Sequence, residues 1–307
     1  MNIIILFESD KQDDGLYHLS DYRAEHIRSI LKSQINDRLE IGILNGQQGT
    51  ASVQSITENE IILSNIQLEE PLQNNLTIDI IVALPRPQTV KKVLFISAMM
   101  GVRNIFFIRS NRVEKSFFHS PLLEEKNYNR FLIDGLQQGK NTLLPVVSIH
   151  DKFKPFMQDS LRLFYEKRQE QPFCLLPDLD TEHTLAEVVN IGADEGVYRP
   201  LNANESVCNV PTNRHPERSR RVDLDVEPNN VIPVKTGIQK LNAQVLGAPL
   251  LGVGSHLLFA IGPEGGWVPY EIEMMTSLGF HKFKLGDWTL RVEHALTACL
   301  AQIELLM

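Results

Sequence analysis

Residues 256–266 read His256-Leu257-Leu258-Phe259-Ala260-Ile261-Gly262-Pro263-Glu264-Gly265-Gly266, an unbroken apolar run that stops on three glycines within five positions. A short run of this kind, bounded by Gly and Pro, is a buried strand, and helical spacing resumes at Tyr270. Glycines between a buried strand and a helix leave the main chain bare, so that some flat or anionic group can approach it closely. The spacing is neither Gly-x-Gly-x-x-Gly nor a phosphate loop ending in Gly-Lys-Ser or Gly-Lys-Thr, and Glu264 would repel a phosphate, which disfavours a nucleotide-phosphate site. Taken alone, the five residues serve as well for a tight structural turn as for a binding loop.

Outward from this stretch the same alternation of strand and helix recurs. Upstream, Leu76–Leu84 is a strand stopped by Pro85-Arg86-Pro87, Val90–Met100 a helix closed by Gly101, and Asn104–Ile108 a strand. Tyr128–Gln138 follows as a helix, Phe173–Leu176 as a buried strand closed by Pro177, and Thr184–Ile191 as a helix. Downstream, Tyr270–Leu278 is a helix, His281–Leu285 a strand, and Leu290–Leu306 a helix with Val292, Leu296, Cys299, Leu300 and Ile303 on one stripe. Alternation of this kind implies a parallel sheet covered by helices. Residues from about 199 to 245 break the rhythm with Pro, Asn and interleaved Arg and acidic residues, and read as an irregular, solvated insertion.

Residues 1 to about 72 read differently, as short strands punctuated by turns: the apolar start through Phe7, then Leu39–Leu44, Thr50–Ile56 and Glu60–Leu63, with Asn45-Gly46 as a hairpin signal. Within them, Tyr22–Lys32 spaces Ile27, Ile30 and Leu31 as a helix with Arg23, His26 and Arg28 on a basic side. Two domains are therefore expected, 1–72 and 73–307, in a chain of 307 residues whose 43% hydrophobic and 22% charged content is ordinary globular usage. The start lacks a basic leader, and no run approaches the roughly 20 apolar residues of a membrane helix, so a cytoplasmic protein is expected. Three scattered cysteines without Cys-x-x-Cys spacing argue against a disulfide framework or a zinc site, and no metal is expected. A net charge of −8 is unusual for a nucleic-acid binder, although Arg103, Arg109, Arg112 and Lys115 cluster after Lys91 and Lys92 and leave room for a basic face.

A second glycine-ended strand, Leu285-Gly286, precedes Leu290-Arg291-Val292-Glu293 at the opening of the last helix. Ile261-Gly-Pro-Glu-Gly-Gly266 followed in order by these two motifs resembles the carboxyl-terminal signature of the RsmE family, the 16S ribosomal RNA uridine N3-methyltransferases of the SPOUT superfamily. Upstream landmarks fit the same order: Ala83–Pro87, Met100-Gly101-Val102, Arg112–Ser116, Gln138 with Lys140, and Leu144-Pro145. The amino-terminal module, with His26-Ile27-Arg28 and Asn45-Gly46, resembles that family's PUA-like RNA-binding β-barrel.

The resemblance implies an α/β domain with a SPOUT-type trefoil knot, helices on both faces of its sheet, and a homodimer with the cofactor pocket at its interface. It implies that S-adenosylmethionine is held by Leu176-Pro177, by Ile261, Gly262, Pro263, Glu264, Gly265 and Gly266, and by Leu285, Gly286 and Leu290. Ribosomal RNA would then be gripped by Arg23, His26, Arg28, Arg86, Arg112 and Lys115. The sulfonium methyl is already activated, so the protein mainly aligns an N3 nucleophile and helps the uracil imide lose its proton. Arg291 is the expected group for holding the target uracil or stabilising charge on its carbonyl oxygens, with Glu293 and Glu264 orienting it or capping helix amides and either also open as proton acceptor; a purely structural pairing of Arg291 with either carboxylate is the alternative. Two positions depart from the family: His294 stands where it usually has threonine, as a neutral hydrogen-bonding substitute, a general base or a mark of weakened activity, and Leu176 where it commonly has histidine. Rival functions are a non-catalytic RNA-binding protein of the same fold and a base methyltransferase acting on transfer RNA.

Overall fold

The computed structural model describes residues 2–69, 76–194 and 255–306. The irregular insertion expected at about 199–245 lies outside the described residues.

The amino-terminal part is a five-stranded sheet of β1 (Ile4–Leu6), β2 (Tyr17–Leu19), β3 (Arg38–Ile43), β4 (Gln48–Ile56) and β5 (Ile61–Leu68), in the order β1-β3-β4-β5-β2. Asn45 adopts a left-handed φ of 57° and the Gly46 N–H donates to the Ile43 carbonyl at 2.8 Å, which sets the antiparallel register Gly42↔Gln48 between β3 and β4. The same Asn45 also binds the larger part of the molecule, through its N–H to the Thr142 carbonyl at 2.7 Å and its Oδ1 from the Leu144 N–H at 2.9 Å. β1 explains why the chain starts with an unbroken apolar run. Ile4 and Leu6 enter the core of the small sheet with Leu19, Ile27, Ile41 and Val53, whereas Ile3 and Ile5 enter the core of the large one. A strand buried on both faces has no polar alternate.

The expected helix over Tyr22–Lys32 is α1 (Tyr22–Glu25) followed by a widened π turn over His26–Leu31 that ends at Lys32, φ 52°. The change of pitch breaks the apolar phase, so Ile27 is buried while Ile30 and Leu31 are exposed.

The larger part is a parallel sheet in the order β11-β9-β10-β6-β7-β8, from β6 (Leu76–Ala83), β7 (Val102–Ile108), β8 (Val146–His150), β9 (Phe173–Pro177), β10 (Ser255–Ile261) and β11 (His281–Phe283). The helices are α2 (Pro87–Met99), α3 (Glu125–Gly139), α4 (Phe153–Pro155), α5 (Leu161–Arg168), α6 (Leu185–Asp194), α7 (Pro269–Ser277) and α8 (Val292–Glu304), α4 running through a π turn at Phe156–Ser160 into α5. α2 packs on α3 and α8, and α8 on β10. Cys299 lies fully buried on the α8 stripe, where burial pushes its thiol far up and leaves it unreactive.

One polar network is sealed into this sheet near the amino-terminal ends of its strands. Asp79, with no exposed surface, accepts from Asn104 (N–H 3.1 Å, Nδ2 2.7 Å), Tyr165 (3.0 Å) and Arg103 (3.0 and 3.2 Å), and lies 2.8 Å from His256 Nε2. Arg103 also donates twice to Glu170, both at 2.7 Å. Arg103 is thus held by carboxylates rather than standing in a basic patch.

Candidate active site

The carboxyl ends of β9, β10 and β11 open on one cavity of about 350 Å³. In open α/β sheets the ends of the strands, where the chain order reverses, are where ligands bind. After Ile261 the chain turns sharply: the Gly266 N–H donates to the Pro263 carbonyl at 2.8 Å, and Gly266 takes φ 73°, a conformation that favours glycine. A Cβ on Gly262 would lie 3.0 Å from the indole Nε1 of Trp267, so the main chain passes against that ring only because no side chain intervenes. Trp267 is 8% exposed, packs on Phe153 at a ring distance of 5.9 Å, and its buried N–H meets no acceptor among the described residues. Glu271, buried on α7, fixes the far end of the turn by accepting the Val268 N–H at 3.0 Å and the Asn111 N–H at 2.7 Å. Arg112 braces the near end, its guanidinium donating to the Gly265 carbonyl and, at 3.4 Å, to that of Gly266.

Of the residues expected to hold a cofactor, Pro177, Ile261, Gly262, Pro263, Glu264, Gly265, Gly266, Leu285 and Leu290 all line this cavity. Leu176 and Gly286 do not. Side chains alternate along a strand, and Leu176 is turned fully into the core while its neighbour Pro177 faces the opening. The second turn reaches the cavity through Leu285, Trp288, Thr289 and Leu290 rather than through Gly286. Sequence reading missed Asp178, Leu179, Asp180, Trp267 and Ile272, and held Trp288 only as part of the loop from Leu285 to Leu290. The one signal for any of these was rarity, since the chain has two tryptophans and each sits beside one of the two motifs.

A second hollow, about 700 Å³, adjoins the first and shares Glu264, Thr289 and Leu290 with it; Arg86, Lys92, Phe117, Arg291 and Glu293 complete the walls that matter. Its charges are sorted into pairs. Arg86 lies 3.7 Å from Glu264, and Lys92 Nζ donates to Glu293 Oε1 at 3.0 Å. Arg291, exposed at the amino-terminal cap of α8, has no carboxylate partner among the described residues, so the structural pairing with Glu264 or Glu293 is not made. Burial alone would raise the Glu293 carboxyl, but its own amide at the helix start and Lys92 hold it below the ordinary glutamate range. His294 points elsewhere, into a shallow hollow with Lys91, Phe95 and Phe131, and lines neither the cavity nor the cleft.

The basic residues assigned to RNA divide sharply. Arg23 is 3% exposed: its guanidinium donates to Asp10 at 2.6 and 2.8 Å, to Asp21 and to the Ile5 carbonyl at 2.7 Å, so it is a structural cation with no face for a phosphate. The sequence pattern could not reveal this, because Asp10 approaches only once β1 and α1 are packed. His26 is half-buried, Arg28 is paired with Glu25 at 2.7 Å, and Arg86, Arg112 and Lys115 are exposed around the two hollows or on the loop after β7. Among the described residues no cluster of three or more His, Cys, Asp or Glu is arranged for a metal, and no helix is long and apolar enough to cross a membrane.

A parallel α/β sheet with a glycine-walled cavity at its carboxyl edge, opening on a cleft lined by Arg86, Lys92 and Arg291 with two carboxylates, places a small-ligand site beside a charged one. The chain belongs to the RNA methyltransferase domain family, whose model matches residues 72–198 and 226–304. It is similar to the ribosomal RNA small subunit methyltransferase E of Treponema pallidum (strain Nichols), with 23% identity over 98% of this chain and 90% of that protein. It is likewise similar to the ribosomal RNA small subunit methyltransferase E 1 of Borreliella burgdorferi, with 26% identity over 58% of this chain and 75% of that one. In fold it matches the crystal structure of a ribosomal RNA small subunit methyltransferase E from Neisseria gonorrhoeae bound to S-adenosyl methionine, at a TM-score of 0.62 and 16% identity, covering 99% of this chain and 98% of that one.

Proposed function

We propose that the protein transfers a methyl group from S-adenosylmethionine to N3 of a uridine in 16S ribosomal RNA. The observation that carries this reading is the convergence of Pro177, the glycine turn 262–266 and the segment 285–290 on one cavity that opens beside Arg291, which has no carboxylate partner among the described residues. Relatives named for small-subunit ribosomal RNA methylation support the substrate, and a neighbour crystallised with S-adenosyl methionine supports the cofactor.

The cavity fits the donor on its own terms. It has apolar walls in Ile261, Ile272, Leu285, Leu290 and Val292, and bare main chain at the glycines. Asp180 adds a carboxylate for the α-ammonium of the donor's zwitterionic amino-acid end, Asp178 beside it being paired with Lys282 at 2.5 Å. When bound, the donor supplies a methyl group on an electrophilic sulfonium. The protein's own residues then have three tasks. The cleft walls admit the target base and exclude bulk water. Arg291 stabilises the negative charge left on the uracil carbonyl oxygens once the imide has given its N3 proton to solvent on entering the cleft. Glu293, held ionised by Lys92, keeps the start of α8 in place behind it.

The finer features follow the same resemblance. We take the crossing of chain around β9, β10 and β11 to be the trefoil knot of the SPOUT enzymes, supported by the laying of β10 between β9 and β6. We take the five-stranded sheet to be the PUA-like barrel that holds RNA, and the active form to be a homodimer in the cytoplasm. Arg28, Arg86 and Lys115 remain the cations available to RNA.

Arg291→Ala tests the reading. Binding of S-adenosylmethionine by calorimetry should stay within about threefold, while methyl transfer to small-subunit RNA should fall by about 10²–10³, the loss typical of one stabilising donor. Normal turnover in that variant would remove Arg291 from the mechanism, and absence of cofactor heat in the unsubstituted protein would dismiss the methyltransferase reading.

A further inference from the structure

Leu39, Ile41, Ala51 and Val53 enter the core of the small sheet, so the alternate residues Arg38, Glu40, Thr50 and Ser52 stand on its outer face, with Arg38 opposite Ser52 in the register. On the next strand a bulge interrupts the pairing. β5 advances three residues from Ser64 to Gln67 where β4 covers two, Thr50 to Ser52, and Asn65 takes up the surplus in a left-handed conformation, φ 49°. A bulge twists its strand and re-aims the side chains around it. Here it leaves a hollow of about 400 Å³ walled by Arg38, Thr50, Ser52, Asn65, Ile66 and Gln67, with one cation, two hydroxyls, two amides and no carboxylate among them. Glu40, on the same face, is neutralised by Lys140 at 2.5 Å. The arginines of the small module are thereby sorted. Arg23 is buried between Asp10 and Asp21, Arg28 is tied to Glu25 at 2.7 Å, and exposed Arg38 has no carboxylate partner among the described residues, donating to Gln67 Oε1 at 3.3 Å. A guanidinium with donors to spare, beside small hydroxyls and amides, matches a phosphodiester and its ribose: the phosphate takes the charge, and the neutral groups bond its other oxygens and the 2′-hydroxyl. A carboxylate on a protein partner would engage the arginine but leave the neutral groups without a use.

We propose that the bulged outer face of the five-stranded sheet is a binding site for the phosphodiester backbone of RNA, with Arg38 holding the phosphate and Thr50 and Ser52 beside it. The site positions the substrate without reading its sequence and takes no part in the chemical step. The assignment rests on the proposed ribosomal RNA substrate.

Salt dependence makes the test direct, because each phosphate neutralised by a cation releases counterions. The full-length protein is titrated with transcribed 16S ribosomal RNA over a series of KCl concentrations, and methyl transfer is followed on the same RNA and on small ribosomal subunits. In Arg38→Gln the affinity at low salt should fall about tenfold, and the slope of log K against log salt should become shallower by about one. KM for the RNA should rise with the loss of affinity, while kcat, S-adenosylmethionine binding and the unfolding midpoint stay as in the parent, since the residue is exposed and its removal frees one Gln67 amide. Arg38→Lys, which keeps the charge, should restore the slope. An unchanged slope in Arg38→Gln, or a fall in kcat with KM unmoved, overturns the assignment and leaves the methyltransferase reading standing. A rise in KM confined to assembled subunits, with the slope on free RNA unmoved, would give Arg38 to a carboxylate of a ribosomal protein and overturn it too. Absence of salt-dependent RNA binding by the unsubstituted protein fails the proposed substrate, and the contact with it.

Discussion

Arg291 and Glu293 are two residues apart in sequence, but the structure separates their circumstances: one is an exposed cation without a carboxylate partner among the described residues, the other a buried carboxylate paired with Lys92. That difference has a pH signature. With Lys92 in place, the Glu293 carboxyl titrates below the ordinary value of about 4.3, and removing the ammonium leaves burial as the dominant influence, which raises it. In Lys92→Met the acid limb of the kcat/KM profile should therefore move to higher pH than in the unsubstituted enzyme. An unmoved limb would mean that Glu293 has no part in the rate. Both motif residues were legible because they sit in a short signature; Lys92 was seen only as part of a basic run, since its partner lies 201 positions along the chain. Arg23 was misread for the same reason in reverse. Its charge is visible in sequence, whereas its two aspartates meet it only in the folded module.

Among the elements, the strands covered on both faces announced themselves as apolar runs, whereas a half-exposed edge strand and a helix with a changed pitch did not. β6, β9 and β10 are near-continuous apolar runs because the sheet is covered where they lie, and the glycine turn after β10 announces itself. β8 escaped notice as an edge strand, half of it exposed and interrupted by Ser148 and His150; so did Phe153–Arg168, whose π turn disrupts the helical period. The glycine turn is the element on which the cavity's shape depends most. Gly262→Ala would bring a methyl 3.0 Å from Trp267 Nε1, and that ring has little freedom to retreat. Overpacking of this kind costs about 1–3 kcal/mol. Affinity for S-adenosylmethionine should consequently fall about tenfold or more in calorimetry, with a lowered unfolding midpoint. Unchanged affinity would show that the turn does not form the donor's wall.

At the scale of the molecule, the network around buried Asp79 ties three strands, β6, β7 and β10, to helix α5. Burial opposes ionisation of Asp79, but His256, Arg103 and Asn104 overcome it, and Arg103 lowers Glu170 as well, so both carboxyls titrate below their usual range. Groups depressed on folding stabilise the native state above the unfolded value of about 4, and that contribution is lost as pH falls through the folded value. The unfolding midpoint should thus change little from pH 7 to about 5 and drop steeply below about 4. Asp79→Ala should cost about 3–5 kcal/mol at neutral pH in denaturant titration and show a shallower acid dependence. A variant as stable as the parent would reduce the network to a bystander.

The position of β10 bears on how the molecule comes into being. It lies between β9 and β6, pairing Phe259 with Leu175 and Ile261 with Val82, although it follows β6 by nearly the whole length of the domain. A nascent chain emerging from the ribosome must therefore hold two unfilled, strongly apolar strand edges until residue 261 has been made, and edges of that kind recruit other strands. Nascent fragments ending before residue 255 are accordingly the species a chaperone must shield, and the sheet closes only with the last part of translation.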